Sequence, residues 1–435
     1  MRLRRSKIRP VHLGQLRPTS SPAIGKQDTR GLTFKPDHSM GADHGAYNTG
    51  RERIAVQEEQ SKISAASILG VFLWVVAFSI SSGVSAVRAE DQVRVNYSRS
   101  ELEAQWQARL SFFLAKGVIP LIDLESTISR KQAEEDLLTS KTLAKMDDLG
   151  IALIAFDANQ APPGRGEPQG GYRWGYHMHQ AVNAYPDRFI LTTNAGNSEN
   201  WRKQRSDMIE QTEMQVRSGD YAIMGEFEFR HYVSQGECKE RRFDREVNIP
   251  LDAPNGHSLF ALSAATGVPF LIHNEPEDAA LETLEKMLGA YPKARVIQAH
   301  FGQIRYPNRQ QRFTPDYVRQ LLTTYPNLFF DISVGEPGRI YDCQGQRLLD
   351  TVIWTKAGSS QSDTLAPAYR ALLVEFNDRF VAGMDYGGGR PLLARFWEER
   401  VKNIHLILRD LPDETKHNIA YRNAWKLLTG RDFVP

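Results

Sequence analysis

From residue 118 onward, short apolar runs alternate with stretches of helical period. The clearest unit lies at 267–302, GVPFLIHNEPEDAALETLEKMLGAYPKARVIQAHFG. One apolar run, 268–272, stops at His273. Ala279, Ala280, Leu281, Leu284, Met287 and Leu288 then recur at helical spacing, and a second run, 295–299, stops at His300. This is strand, helix, strand, with a crossover long enough for parallel pairing. Runs of the same kind predict strands over 118–123, 151–156, 188–193, 222–228, 327–332 and 379–384. Helices are predicted over 97–116, 130–148, 175–184, 198–217, 256–266, 365–376, 391–409 and 413–429, the first burying Leu102, Trp106, Leu110 and Phe113. The stretch 230–254 and the long stretch after 332 read as loops. Eight strands alternating with helices predict a (β/α)8 TIM barrel with extra N- and C-terminal helices. A doubly wound sheet is the competitor, and no GxGxxG follows the first strand to favour it.

The first residues change the picture of the whole chain. Residues 1–64 are polar, with a basic start, MRLRRSKIRP, and no core pattern, so they are expected to be disordered. The apolar run 68–80 follows Lys62 and precedes Val84-Ser85-Ala86 and Val87-Arg88-Ala89. It is short for a span of about 20 residues and has the length of a signal-peptide core, so 65–89 read as a signal peptide or membrane anchor. The polar lead is long for a signal, and a start near Met40 would shorten it. The expected organisation is 1–64 disordered, 65–89 signal or anchor, 90–435 barrel, with the protein exported, periplasmic or membrane-anchored. Composition adds little: 41% hydrophobic, 24% charged and a net charge of +2 suit a globular protein and point to no nucleic-acid partner. Membrane contact is expected only through an uncleaved N-terminal segment. The expected partner is a small-molecule substrate, and a homo-oligomer is left open.

Polar residues close most of the strands: Asp123 and Glu125, Asp157, Glu226 and Glu228, His273, His300, Asp331 and Asp385. Strand interiors are apolar, so these side chains are expected on one rim, where barrels carry their chemistry. Imidazoles and carboxylates that converge suit a divalent cation, zinc first and manganese or magnesium as alternatives. Taken singly, a strand-end Asp caps a helix or a turn, and a strand-end His is an ordinary structural residue. Arg230 and His231, just past the fourth strand, are candidates to meet a substrate carboxylate. Arg390, after Gly387-Gly388-Gly389 and before a helix, is a candidate anion site. His177 and His179 diverge on a helix and make a weak ligand pair.

The chain from about 118 to 430 resembles the amidohydrolase-related family of metal-dependent barrels, which includes aromatic and amino-carboxymuconate-type decarboxylases. The resemblance rests on LIDLEST, LFALSAATGVPFLIHNE, VIQAHFG, LFFDIS, FVAGMDYG and IAYRNAWKLL, in that order. It implies His273 as a metal ligand, His300 as catalytic acid/base or second ligand, and Asp385 as a metal-binding and water-orienting residue. The first strand departs from the family's Asp-x-His-x-His: Glu125 and Thr127 stand in the histidine positions. Some decarboxylases of this family carry Glu-x-His at these positions, so the resemblance implies Glu125 as a ligand; a neutral Thr hydroxyl binds zinc weakly. The implied metal set is Glu125, His273 and Asp385, with Glu228 or His300 added.

The expected function is hydrolysis of a small ester, lactone or amide by a metal-activated water, with Asp385 and His300 as catalytic groups. Decarboxylation of aromatic or muconate-type acids, and a metal-free barrel that only binds a ligand, are the alternatives. Cys238 and Cys343, the two cysteines of the chain, fall in the two longest loops. Both loops should rise over the same rim, so a disulfide across the mouth is expected.

Overall fold

The computed structural model describes residues 95–128, 137–158, 176–196, 198–358, 360–387 and 393–435. The expectations for 1–64, for 65–89, for the start of the 130–148 helix and for Arg390 therefore lie outside the described residues. Among those described, no helix is long and apolar enough to cross a membrane.

Each of the eight predicted strands is present. They are β1 (Leu121–Ile128), β2 (Ile151–Ala158), β3 (Phe189–Leu191), β4 (Met224–His231), β6 (Phe270–Asn274), β7 (Val296–Gln298), β8 (Leu328–Asp331) and β13 (Phe380–Val381). They pair in parallel within two sheets. One sheet has the order β1-β2-β3. The other has the order β13-β8-β7-β6-β4, with β5 (Val247–Asn248) antiparallel on its edge.

Among the described residues a single closed sheet is not formed; the two sheets meet at two seams of isolated bridges. Thr192 bridges Ile223 and Gly196 bridges Phe227 at one seam, and Ser126 bridges Tyr386 at the other. Backbone bonds reinforce both: Gly196 N–H donates to the Glu226 carbonyl at 2.8 Å, Glu228 N–H to that of Gly196 at 2.9 Å, and Thr127 N–H to that of Tyr386 at 2.6 Å.

The helices follow from local sequence. α1 (Arg99–Ala115) starts with a capping box, Ser98 and Glu101, and buries Leu102, Trp106, Leu110 and Phe113. α2 (Ser140–Asp148), α3 (Tyr176–Ala184) and α7 (Pro254–Thr266) fall within or beside their predicted ranges. α8 (Asp278–Ala290) buries Leu281, Leu284, Met287 and Leu288 against the sheet. α10 (Pro367–Glu375) and α11 (Leu393–Arg409) follow suit. The predicted 413–429 helix is α12 (Asp413–His417), a π turn at 418–422 and α13 (Asn423–Thr429).

The predicted 198–217 helix is two helices, α4 (Glu199–Arg202) and α5 (Ser206–Ser218). Gln204, at φ 53°, breaks it. α4 is pinned instead to β4, through Trp201 Nε1–H donating to the Glu228 carbonyl at 2.7 Å.

Several features besides β5 went unpredicted. α9 (Pro315–Thr324) starts with Thr314 as N-cap and Pro315 in the first turn, a start signal present in the sequence. The short α6 (Gln235–Lys239) sits in the charged loop after β4. The long stretch after β8 holds two hairpins, β9–β10 (Ile340–Cys343, Gln346–Leu349) and β11–β12 (Trp354–Ala357, Ser360–Leu365). The first turns on Gln344 and Gly345 at φ 49° and 78°, the positive values a two-residue hairpin needs. Cys238, in α6, and Cys343, in β9, form the expected disulfide, with Cα atoms 5.8 Å apart.

Candidate metal centre

The strand-end carboxylates divide into two kinds, and the backbone decides which is which. Asp123 accepts the N–H of Glu125 at 3.0 Å, the N–H of Met384 at 2.8 Å and the hydroxyl of Ser126. It ties β1 to the segment after β13 and is spent there. Asp331 accepts the N–H groups of His300 at 2.9 Å and Ser333 at 3.0 Å, and the Ser333 hydroxyl. Both follow the bland reading of a strand-end Asp. The pairing of β1 with β2 slips between Asp123 and Ser126. A slip of this kind re-aims a side chain, and Glu125 is left buried at 3% exposure with neither carboxylate oxygen hydrogen-bonded.

Glu125, Glu226, His273, His300 and Asp385 converge in two overlapping groups: Glu226, His273 and His300, and Glu125, His300 and Asp385. His300 Nε2 lies 3.1 Å from His273 Nδ1, 3.4 Å from Glu125 Oε1 and 3.8 Å from Glu226 Oε1. His273 Nδ1 lies 2.9 Å from Glu226 Oε1. Ligand atoms about 2.0–2.1 Å from one divalent ion are about 3.0–3.4 Å from one another, so these separations fit a shared cation. His300 Nδ1 is engaged by the carbonyl and hydroxyl of Ser333, at 3.0 and 2.9 Å. That leaves one His300 nitrogen for both groups. One lone pair serves one ion, so His300 can contribute to only one of the two groups at a time.

The backbone is bent to achieve this. His300 and Asp385 sit at φ 60° and 49°, two of five non-glycine residues in the left-handed region among the described residues. Such conformations cost about 1–3 kcal/mol each and persist where surroundings impose them. Asp331 holds His300 there through its N–H. Arg400 Nη2 donates to Asp385 Oδ2 at 3.1 Å. Gly383 faces Glu125; a Cβ there would lie 3.1 Å from Glu125 Oε2.

The electrostatics ask for a positive charge. Burial, and then Asp331, Glu226 and Asp385 around it, push the Glu125 carboxyl well above its usual range. Burial pulls His273 down but is outweighed by Glu226 and Glu275, which raise the ring to about 10. Burial raises Glu275 too, but Arg305 and His273 outweigh it and bring its carboxyl down to about 2. Buried carboxylates without hydrogen bonds cost several kcal/mol unless neutralised or paired. The donor set therefore fits a divalent cation.

Other expected residues fall elsewhere. Glu228 is not part of either group: its side chain turns to Arg245, 3.5 Å away, and burial raises it to about 8. Glu226, one turn of the pleat earlier, takes its place because the strand pairing slips on either side of Phe227-Glu228. Arg230 is not available to a substrate: it is 3% exposed, paired with Glu246 at 2.9 Å and Glu277 at 3.0 Å, and stacked on Tyr232. His231 does reach the site, its ring 4.4 Å from that of His273 with Nδ1 buried and without a partner. Burial, and then the positive groups around it, holds it well below its usual range. His179 Nε2 faces the Tyr221 hydroxyl at 3.4 Å and is in neither donor group. Thr127 lines the mouth without joining the donors.

Sequence reasoning did not single out Glu275, Arg305, Ser333 or Arg400. Glu275 stands two residues after His273, and that spacing was the signal within reach. A small cavity of about 30 Å³ opens among Glu125, Glu226, Asp385, Thr127 and Tyr386. It has room for about two water molecules.

Residues 230–429 match the family model described as amidohydrolase, which bears out the resemblance over that stretch. No curated protein sequence matches the chain. Similar solved structures include 2,6-dihydroxybenzoate decarboxylase from Rhizobium, at 14% identity, TM-score 0.40, 71% of this chain and 98% of that one. A dihydroxybenzoic acid decarboxylase from a Polaromonas species, with bound manganese and the inhibitor 2-nitroresorcinol, matches at 13% identity and TM-score 0.42, covering 72% and 98%. Dihydroorotase from Campylobacter jejuni matches at 12% identity and TM-score 0.37, covering 71% and 82%.

Proposed function

We propose that the protein is a metal-dependent hydrolase of the amidohydrolase-related family, acting on a small ester, lactone or amide. The proposal takes the two sheets together as one (β/α)8 barrel, eight parallel strands in chain order with bridges at both seams. The observation that carries the reading is Asp385, a donor beside Glu125 and His300 and a wall of a cavity sized for water.

Glu125, Glu226, His273 and His300 would hold the cation, zinc by the balance of imidazole and carboxylate, manganese or magnesium by the excess of carboxylate. A divalent ion bound there supplies Lewis acidity toward a carbonyl oxygen and toward water. Asp385, fixed by Arg400 at 3.1 Å, accepts the proton of a water as it adds to the carbonyl carbon. It then returns that proton to the departing alcohol or amine as the C–O or C–N bond breaks. In this reading His300 acts as a ligand rather than a proton shuttle, which is supported by Ser333 on one ring nitrogen and the donor cluster on the other. His231 borders the reacting volume.

Export accompanies this reading, supported by the Cys238–Cys343 disulfide, a bond that persists in oxidising compartments, and by the apolar run 68–80.

The test is metal analysis with turnover. Purified protein should carry roughly one zinc or manganese per chain, lost in His273→Ala, and should hydrolyse members of an ester, lactone and amide panel. Carbon dioxide released from aromatic acids, with no hydrolysis, would replace the hydrolase reading with the decarboxylase one. Protein without metal or turnover would leave a ligand-binding barrel.

A further inference from the structure

The proposed donor set leaves one of its ring nitrogens unexplained. His273 turns Nδ1 toward Glu226 and His300, and Nε2 toward the protein interior. Nε2 is buried and has no hydrogen-bond partner at ordinary distance. The carboxylate of Glu275 is near it, with Oε1 at 3.6 Å.

Glu275 itself is held from several sides. Its side chain is 1% exposed, and Arg305 Nη1 pairs with Oε1 at 3.0 Å. Gln303 Nε2 donates to Oε1 and Gln310 Nε2 to Oε2, each at 3.4 Å. The Gln310 amide has a settled orientation, because its Oε1 accepts the N–H groups of Arg305 and Tyr306 at 2.9 and 2.7 Å. Arg305 is anchored in turn by donating to the Tyr232 carbonyl at 2.9 Å. This carboxylate is built in, with a fixed position and direction, and the reaction derived above gives it no task.

We propose that Glu275 is a positioning residue: it accepts the Nε2–H of His273 and so commits Nδ1 to the cation. The inference rests on the metal reading of the site and deepens it. An imidazole has one proton to place when it serves as a ligand, and the nitrogen that carries it is set by the hydrogen bond the other side can make. With Nδ1 given to a cation, the proton sits on Nε2, and Glu275 is the acceptor at hand. Closing 3.6 Å to hydrogen-bond distance is a sub-ångström movement, which the loss of the Nδ1 contact to Glu226 permits. Outer partners of this kind fix the ring and raise its basicity, and their removal typically costs 10–100-fold in metal affinity. Glu275 touches neither cation nor substrate in this arrangement, so its effect appears in affinity and ligand geometry before it appears in rate.

The experiment titrates metal-free wild type and Glu275→Gln with zinc by calorimetry, with circular dichroism reporting the fold of each. A 10–100-fold weaker zinc dissociation constant in folded E275Q supports the proposal, and an unchanged constant overturns it. E275Q leaves Arg305 without its ion pair and risks misfolding, so a second measurement uses wild type alone. Protein labelled with 15N-histidine and loaded with 113Cd should show cadmium coupling at His273 Nδ1 with a proton retained on Nε2. Coupling at Nε2 overturns the proposal while leaving the metal site standing. Wild type that binds neither zinc nor cadmium removes the metal reading and this inference with it.

Discussion

At the residue scale, buried carboxyls crowd the donor groups and their surroundings. Asp123 is raised to about 7, by burial against the pull of its hydrogen bonds, and Glu228 to about 8, by burial against the pull of Arg245. A carboxyl raised in the folded state holds its proton more tightly folded than unfolded, so its stabilising contribution is present at low pH and lost as pH rises through 7 and 8. His273, at about 10, has the same sign: its contribution is full below 6.5 and lost as pH rises toward 10. The three add, and the melting temperature of metal-free protein should fall steadily from pH 6 to 9. Zinc should flatten that fall, since a cation relieves Glu125 and commits His273 as a neutral ligand; scanning calorimetry with and without zinc checks both. A second prediction separates ligand from base. Asp385→Asn should keep most of the bound metal but lose about 10²–10⁴-fold in kcat, the usual worth of a positioned proton acceptor. Metal content measured on the same sample decides whether Asp385 binds or reacts.

At the scale of elements, the ends of strands do the work that their middles only support. The middles were legible. Runs such as Phe270-Leu271-Ile272 and Val296-Ile297 are buried throughout and lie in the predicted strands. The choice between Glu226 and Glu228 was not legible, because an alternating strand puts both on one face and only the slip in pairing beside Phe227 separates them. The roles of Asp123 and Asp331 were hidden for a related reason. They answer to the N–H groups of Met384 and His300, far away in sequence. One seam offers a direct test. A Cβ on Gly196 would meet Phe227 Cδ1 at 2.5 Å and its Cα at 2.9 Å. Gly196→Ala should force β3 and β4 apart and cost about 1–3 kcal/mol, the usual cost of overpacking, read by urea unfolding. Gly383→Ala is milder, with Glu125 Oε2 at 3.1 Å and Ser333 Cβ at 3.2 Å. It should leave the fold intact and weaken zinc binding in calorimetry.

At the scale of the whole molecule, the loops after β4 and β8 are fastened to each other. The disulfide joins positions 105 residues apart, and Tyr341 donates from the second loop to the Val233 carbonyl at 3.0 Å. Closing so long a loop restricts the unfolded chain, and removing such a bond typically costs about 2–4 kcal/mol. The double variant Cys238→Ser, Cys343→Ser should unfold at correspondingly lower urea, with the two single variants no more stable than the double.

The sequence by itself determined the alternation of strands and helices, the pairing of its two cysteines and the set of polar strand ends from which a site could be drawn. Those are local properties: period, turn chemistry and residue type depend on near neighbours. The tertiary structure alone decided which carboxylates are consumed by backbone N–H groups and which are left facing His273 and His300. It also decided that Arg230 is locked between two glutamates and that Glu275 lies beside His273 Nε2. Each of these depends on where a distant segment lies to within an ångström. Hydrogen bonds and ligand distances carry that precision, and hydrophobic pattern does not.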